Sequence, residues 1–167
     1  MKKVLVIGCG GAGKSTLSRL LHEKTGIPLV HLDKLYWYGV WQHLDRDAFI
    51  KRIQPELERD SFIMDGNFIS SLPLRLRYAD TVIMLDYSRV VCLFGAIRRI
   101  CWNYGKTRED MGGECAEKFD MEFLGWIWNF KRKTRPKIMT ALEEANGVKL
   151  VVLKNRAEAR RFLESAQ

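Results

Sequence analysis

Gly8-Cys9-Gly10-Gly11-Ala12-Gly13-Lys14-Ser15 fills every fixed position of the pattern G-x-x-x-x-G-K-[ST]. The pattern lies between an apolar run, Lys3 to Ile7, and a segment of helical period, Lys14 to Lys24. Strand, glycine loop and helix is the order in which this chemistry works. The glycines let successive backbone N–H groups turn toward one anion, and the positive end of the helix dipole adds to them. Lys14 then reaches terminal phosphates, and Ser15 offers its hydroxyl to Mg²⁺, with Thr16 a weaker candidate. Gly8, Gly10, Gly11, Ala12, Gly13, Lys14, Ser15 and Thr16 are accordingly the expected nucleotide contacts. The shorter fingerprint G-x-G-x-x-G is contained in the same stretch, and Asp33 stands where a dinucleotide fold places its ribose acid. Lys14-Ser15 decides against that reading, because a dinucleotide fold has no use for a lysine there. No N-K-x-D occurs, so guanine recognition of the GTPase kind has no basis.

Outward from this stretch, short β-rich apolar runs alternate with helical segments. Lys3 to Ile7, Leu29 to His31, Phe62 to Met64, Thr81 to Leu85 and Lys149 to Leu153 read as five buried strands. Ser88, Asp120 and Asn155 are candidate helix caps, Pro136 should divide a long aromatic helix, and Asn146-Gly147 is a stop signal. Val90, Leu93, Phe94, Ile97 and Cys101 recur at three and four residues, a spacing that predicts one buried helix face. The alternation predicts an α/β fold: a five-stranded parallel sheet covered on both faces, a three-layer α/β/α P-loop NTPase architecture. Two stretches break it. Lys34 to Asp60 and Gly105 to Phe119 read as mobile inserts within a single domain, and the second, rich in glycine and mixed charge, reads as a loop that opens and closes over a site.

The chain has 167 residues, and 47% apolar against 29% charged is a globular balance. No run of apolar residues is long enough to span a bilayer, and the N-terminus lacks a cleavage pattern after its apolar run, which predicts a cytoplasmic protein. Cys9, Cys92, Cys101 and Cys115 make no C-x-x-C pair and read as reduced thiols. The net charge of +8 has a local source in Lys131, Arg132, Lys133, Arg135 and Lys137, a patch without an acid among them.

Working residues of open parallel sheets gather at the carboxyl ends of the strands. Asp33, Asp65 and Asp86 lie there. Asp33 is the candidate for binding an acceptor or activating its hydroxyl, while Asp65, followed by Gly66-Asn67, is placed to hold a metal-bound water. Asp86 reads as a residue preceding the Ser88 cap, and His31 as a packed histidine. Tyr36, Trp37, Tyr38 and Trp41 either stack on an aromatic acceptor or pack the first insert against the body; Trp126, Ile127 and Phe130 read as core. Arginines neutralise the charge that develops in phosphoryl transfer, and Arg98, Arg99, Arg108, Arg132 and Arg135 surround the second insert.

Five segments, GCGGAGKST, HLDKLYW, IMDGNF, GKTREDMGGECAEKF and FLGWIWNFKRKTRP, together resemble the DNA topology modulation proteins, a FlaR-related group of adenylate-kinase-like P-loop proteins. The layout is also similar to nucleoside monophosphate kinases and to shikimate or gluconate kinases. That resemblance implies an acceptor insert at about 34–60 and an arginine-bearing lid at about 105–119. It puts Arg98 and Arg108 in or beside the lid, Arg132 and Arg135 after it, and Asn155 near the adenine. Asp65-Gly66-Asn67 stands where adenylate kinases have D-G-F-P-R, so Arg75 or Arg77 would have to supply the missing arginine to the substrate.

The expected activity is transfer of the γ-phosphoryl group of ATP, with Mg²⁺, to a small acceptor: a nucleotide, a nucleoside or a hydroxylated metabolite. In it Lys14, Asp33, Arg98, Arg108 and Arg135 are the expected catalytic groups, Asp33, Asp65, Arg75 and Arg132 bind substrate, and Ser15 and Asp65 hold the metal. The rival is a nucleotide-switched regulator that binds DNA or RNA through residues 131–137. A monomer or a homodimer fits either expectation.

Overall fold

The apolar run that leads into the glycine loop is strand β1 (Lys3–Gly8), and Val4, Leu5, Val6 and Ile7 are fully buried in it. The elements that follow are α1 (Lys14–Thr25), β2 (Leu29–His31), α2 (Leu32–Tyr36), β3 (Trp37–Tyr38), β4 (Gln42–His43) and α3 (Arg46–Leu57). Then come β5 (Phe62–Asp65), α4 (Leu72–Leu76), β6 (Thr81–Leu85), α5 (Arg89–Asn103), α6 (Met121–Lys133), α7 (Arg135–Glu144), β7 (Lys149–Leu153) and α8 (Arg156–Ser165). This is a computed structural model, and it describes residues 1–166.

Five strands form one parallel sheet in the order β2-β5-β1-β6-β7, so β1 is central and its carboxyl end opens between β5 and β6. Central position explains the unbroken apolar character of β1, β5 and β6, since both faces of such strands are covered. Strand β7, expected to be buried, is instead a sheet edge with Lys149 and Leu150 exposed and Leu153 alone fully inside. Helix α1 packs on β1, β2 and β5 and against α8, while α5, α6 and α7 pack in sequence as the helices of a second layer. The result is the three-layer α/β/α arrangement.

Helix boundaries follow the caps. The side chains of Asp45, Ser88, Asp120 and Asn155 accept the first free amides of α3, α5, α6 and α8. Pro136 divides α6 from α7, standing in the first turn of the second helix where its missing N–H costs nothing.

Two expectations are corrected here. The segment 34–60 is not a loop: it holds most of α2, the β3–β4 hairpin and α3, whose Phe49, Ile53 and Leu57 enter the core at helical spacing. Helix α2 and strands β3 and β4 are too brief to show a period, whereas the spacing of Phe49, Ile53 and Leu57 in α3 is there to be read. The buried face of α5 is also not the one its strongest apolar stripe suggests. Cys92, Ala96 and Ile100 are buried, whereas Val90, Phe94 and Ile97 are 65%, 62% and 37% exposed and Cys101 is exposed too. Small residues face inward because the helix lies against loop backbone, where no large side chain fits. The segment 105–119 is irregular as expected, its only ladder contacts among the described residues being isolated bridges from Tyr104 to Glu117 and Thr107 to Ala116. Among the described residues no helix is long and apolar enough to cross a membrane.

Candidate active site

The loop between β1 and α1 is built to present amides. Unlike α3, α5, α6 and α8, helix α1 has no side-chain cap, and no acid stands in its first turn, so its first N–H groups remain open to an external anion. Backbone contact with α5 holds the loop in place. Gly11 has φ +73°, and a Cβ there would fall 2.1 Å from the Cys92 carbonyl oxygen and 2.6 Å from the Ala96 nitrogen. The small residues of α5 are therefore the seat of the loop. Lys14 folds over it and donates from Nζ to the Cys9 carbonyl at 3.1 Å. Burial lowers the Lys14 pKa, while the charges of Asp65 and Asp33 pull the other way. The Cys9 thiol is buried, and its pKa is pushed up by its hydrogen bond with Cys92 and by burial, which makes it a packing group rather than a nucleophile.

Two cavities of about 600 Å³ each meet at this lysine. The first runs over Gly11, Gly13, Ser15 and Thr16 toward Arg19, Asn103 and Lys106. The second runs from Gly10 past Asp33 to Trp37, Trp41, Phe68, Phe123 and Trp126. Lys14, Arg99 and Arg108 line both. Glu117 lies between the two arginines, its Oε1 at 3.0 Å from Arg99 Nε and 2.7 Å from Arg108 Nε. Those separations are ion-pair distances, yet neither buried Nε–H is aimed to form a hydrogen bond. Arg108 also pairs with Asp110 at 2.9 Å. Two guanidinium groups with unused donors beside an ammonium group are suited to a polyanion.

The carboxylates divide by environment. Asp33 lines the second cavity, and burial first and the neighbouring Asp65 second push its pKa up. A carboxyl group so placed is a competent acceptor for a proton from a hydroxyl group. Asp65, buried at the end of β5, accepts from His31 Nδ1 at 2.8 Å, the two residues being register partners on adjacent strands. Burial alone would lower His31, but the hydrogen bond and charge of Asp65 outweigh it and the pKa is raised. His31 reaches the first cavity, whereas Asp65 does not line it and acts there through His31 and through its charge on Lys14. Burial would likewise raise Asp110, but Arg108 and the Ser15 hydroxyl hold it below the usual carboxylate range. Among the described residues no three His, Cys, Asp or Glu side chains gather as a metal cage. The donor set fits a Mg²⁺ ion bound through Ser15, water and phosphate oxygens, with Asp110 beside that hydroxyl.

The segment 105–119 lines both cavities and meets the hairpin backbone to backbone. Glu114 donates to the Gly39 carbonyl at 2.7 Å. Gly112 and Gly113 come so near that a Cβ on either would fall 2.2 Å from the Trp37 carbonyl oxygen or 2.4 Å from that of Gly39.

The structure corrects several expected site residues. Arg98 stacks over Trp102 at 5.8 Å on the outer side of α5 and lines neither cavity. One residue further on, about 100° around the helix, Arg99 takes the inner place. Arg75 is fully buried, uses four of its five N–H donors on the carbonyls of Gly66, Asn67 and Phe68 and on Ser71 Oγ, and lines neither cavity. Arg135 pairs with Asp86 at 3.0 Å and Lys131 with the same carboxylate at 3.4 Å, while Arg132 lies exposed; none of the three lines either of these two cavities. Asn155 caps α8, accepting from Glu158 N at 2.9 Å and donating to Glu158 Oε1 at 2.8 Å, and is absent from both cavities. Trp126 is only partly core: it meets Phe130 edge to face at 5.3 Å, and with Phe123 it lies over Gly10 and walls the second cavity. The sequence reading also missed His31, Asp110 and Glu117. His31 was legible from its place at a strand end opposite Asp65; Asp110 and Glu117 lie in irregular chain, where no periodicity marks them.

No family model and no curated protein matches the chain. Among solved structures it resembles a shikimate kinase from Bacteroides thetaiotaomicron, with 14% identity over 98% of this chain and 94% of that one at a TM-score of 0.58. A shikimate kinase from Acinetobacter baumannii in complex with shikimate is similar at 16% identity, covering 98% and 89% with a TM-score of 0.60. A gluconokinase from Sinorhizobium meliloti follows at 15% identity, 98% and 94% coverage and 0.52. At such identities the likeness is one of fold: this is the P-loop kinase fold over almost its whole length.

Proposed function

We propose that this chain is a P-loop phosphotransferase that moves a phosphoryl group from ATP to a small hydroxylated acceptor. The carrying observation is the junction of the two cavities, where Lys14, Arg99 and Arg108 face both sides and Asp33 waits on the second. The first cavity, with its open amides, Ser15 and Lys106, is the nucleotide side; the second is the acceptor side. Bound Mg²⁺-ATP would supply the γ-phosphoryl group at that junction. Lys14, Arg99 and Arg108 neutralise the charge that spreads over the transferred group, Asp33 takes the proton of the attacking hydroxyl, and the 105–119 segment serves as a lid that excludes water. On this reading residues 34–60 form the acceptor-binding insert. The five segments that resemble the DNA topology modulation proteins carry these same parts. The basic patch supports a nucleic-acid function less well, because Asp86 already holds two of its charges, Lys131 and Arg135.

Isothermal titration with Mg²⁺-ATP tests the proposal. Wild-type protein should bind, and Lys14→Ala should weaken binding by about 10- to 100-fold, the worth of charged hydrogen bonds. Equal affinity in the two proteins, or none in the wild type, would overturn it.

A further inference from the structure

The acceptor cavity carries its own chemical signature, and the inference from it rests on the phosphotransferase reading. Five of its walls are aromatic: Trp37, Trp41, Phe68, Phe123 and Trp126. Trp37 and Trp41 meet edge to face at 5.4 Å, and Phe123 and Trp126 stack at 5.8 Å with their planes 21° apart. Faces of this kind favour a flat apolar ring. Away from the junction, the only cation in the lining is Lys118, which sits over the Trp41 ring at 5.3 Å. Arg75, behind Gly66, Asn67 and Phe68, is fully buried, donates to their three carbonyls and does not line the cavity. No guanidinium fork is therefore offered to a phosphate or carboxylate at the ring end. At the reacting end an anionic acceptor would meet the Asp33 carboxylate, which has no hydrogen-bond or ion-pair partner among the described residues.

We infer that the acceptor is an uncharged aromatic alcohol: a planar ring held by the tryptophan and phenylalanine walls, with its hydroxyl on Asp33 and no phosphate or carboxylate of its own. The hydroxyl oxygen forms a bond to the γ-phosphorus, its proton passes to Asp33, and the bond from that phosphorus to the bridging oxygen breaks. ADP leaves with the electron pair, and Asp33 returns the proton to water. Beyond the junction Lys118 is the one lysine or arginine in the lining, and Asp33 and Asp120 line the same cavity, so like-charged acceptors are disfavoured without a steric block.

The experiment holds ring and hydroxyl constant while charge changes. Wild-type protein with Mg²⁺-ATP is offered adenosine, guanosine, cytidine and uridine, then their 5′-monophosphates, together with pyridoxine and 2-phenylethanol as further neutral rings and with shikimate and gluconate as hydroxy acids. Acceptor-dependent ADP release and calorimetric binding are read for each. At least one neutral ring should be preferred to every anionic compound by about tenfold or more, the discrimination expected from an unpaired like charge. Trp37→Ala with Trp41→Ala should abolish that preference and leave Mg²⁺-ATP affinity unchanged. Preference for a monophosphate or a hydroxy acid overturns the inference and leaves the phosphotransferase standing. So does a complete lack of response to the neutral rings while Mg²⁺-ATP binds. Failure to bind Mg²⁺-ATP at all overturns the underlying reading instead.

Discussion

Replacing Gly11 by alanine separates two costs that the structure places side by side. Gly11 and Gly26 have nearly the same backbone, φ +73° and +71°, but a Cβ at Gly26 meets nothing within 4 Å while one at Gly11 falls 2.1 Å from the Cys92 carbonyl oxygen. Forcing an L-residue into the left-handed region costs about 1–2 kcal/mol, less about 0.4–1 kcal/mol recovered from a stiffer unfolded chain. Gly26→Ala should therefore lose about 1 kcal/mol. Gly11→Ala bears the same strain plus overpacking of about 1–3 kcal/mol, because the obstructing atoms are backbone on both sides and cannot rotate away. At about 2–4 °C per kcal/mol for a domain of this size, the Tm of Gly11→Ala should lie roughly 2–12 °C below that of Gly26→Ala. Differential scanning calorimetry measures the gap, and titration with Mg²⁺-ATP should show binding impaired in Gly11→Ala alone, since only there is the amide loop pushed off α5. Equal melting temperatures in the two variants would refute the claim that α5 backbone seats the loop.

Three further outcomes follow from buried groups. Asp33→Asn should lower phosphoryl transfer by about 10²- to 10⁴-fold through loss of the proton acceptor. It should also raise the Tm at neutral pH: the raised Asp33 pKa means that the ionised group burdens the fold above that value, and the gain should fade as pH falls below the ordinary 3.8. His31→Gln should reverse that pH dependence. Protonated His31 stabilises the fold fully below its ordinary 6.5 and loses the effect as pH rises through its raised value, so the Tm deficit of the variant should be largest in acid and shrink in alkali; a constant deficit would contradict the Asp65 pairing. Arg75→Met should cost about 3–5 kcal/mol, since it strands buried carbonyls, yet leave Mg²⁺-ATP affinity intact in protein that remains folded; a selective loss of affinity would return Arg75 to the site.

Much of this protein was legible because its signals are local. The glycine loop, the five sheet strands, the caps at Ser88, Asp120 and Asn155 and the division at Pro136 each depend on a few neighbouring residues, and each stands where the pattern puts it. What failed depends on rotation about a helix or on distant contact. Arg98 and Arg99 are indistinguishable along the chain, and only the seat of the loop on Cys92 and Ala96 fixes which of them faces the cavities. The apolar stripe of α5 outscored its true inner face for the same reason, since close backbone approach selects small residues over hydrophobic ones. Arg75 reads as a surface charge until the carbonyls of the β5 exit are seen around it. Trp126 shares a helix face with Ile127 and Phe130, and its position over Gly10 depends on how α6 crosses the loop.

The contact between Gly112-Gly113 and the main chain of Trp37 to Gly39 has a consequence for how such a protein can change. The door latches chiefly on peptide groups, which every sequence possesses, and the cation contact from Lys118 to the Trp41 ring adds to them. Trp37 is thus free to be exchanged for a residue of other shape or charge without loosening the latch, and exchange of Trp41 removes only the contact with Lys118. The shape of the second cavity can therefore be altered by single substitutions in a seven-residue ribbon, 37–43, while the main-chain contact with Gly112-Gly113 is inherited unaltered.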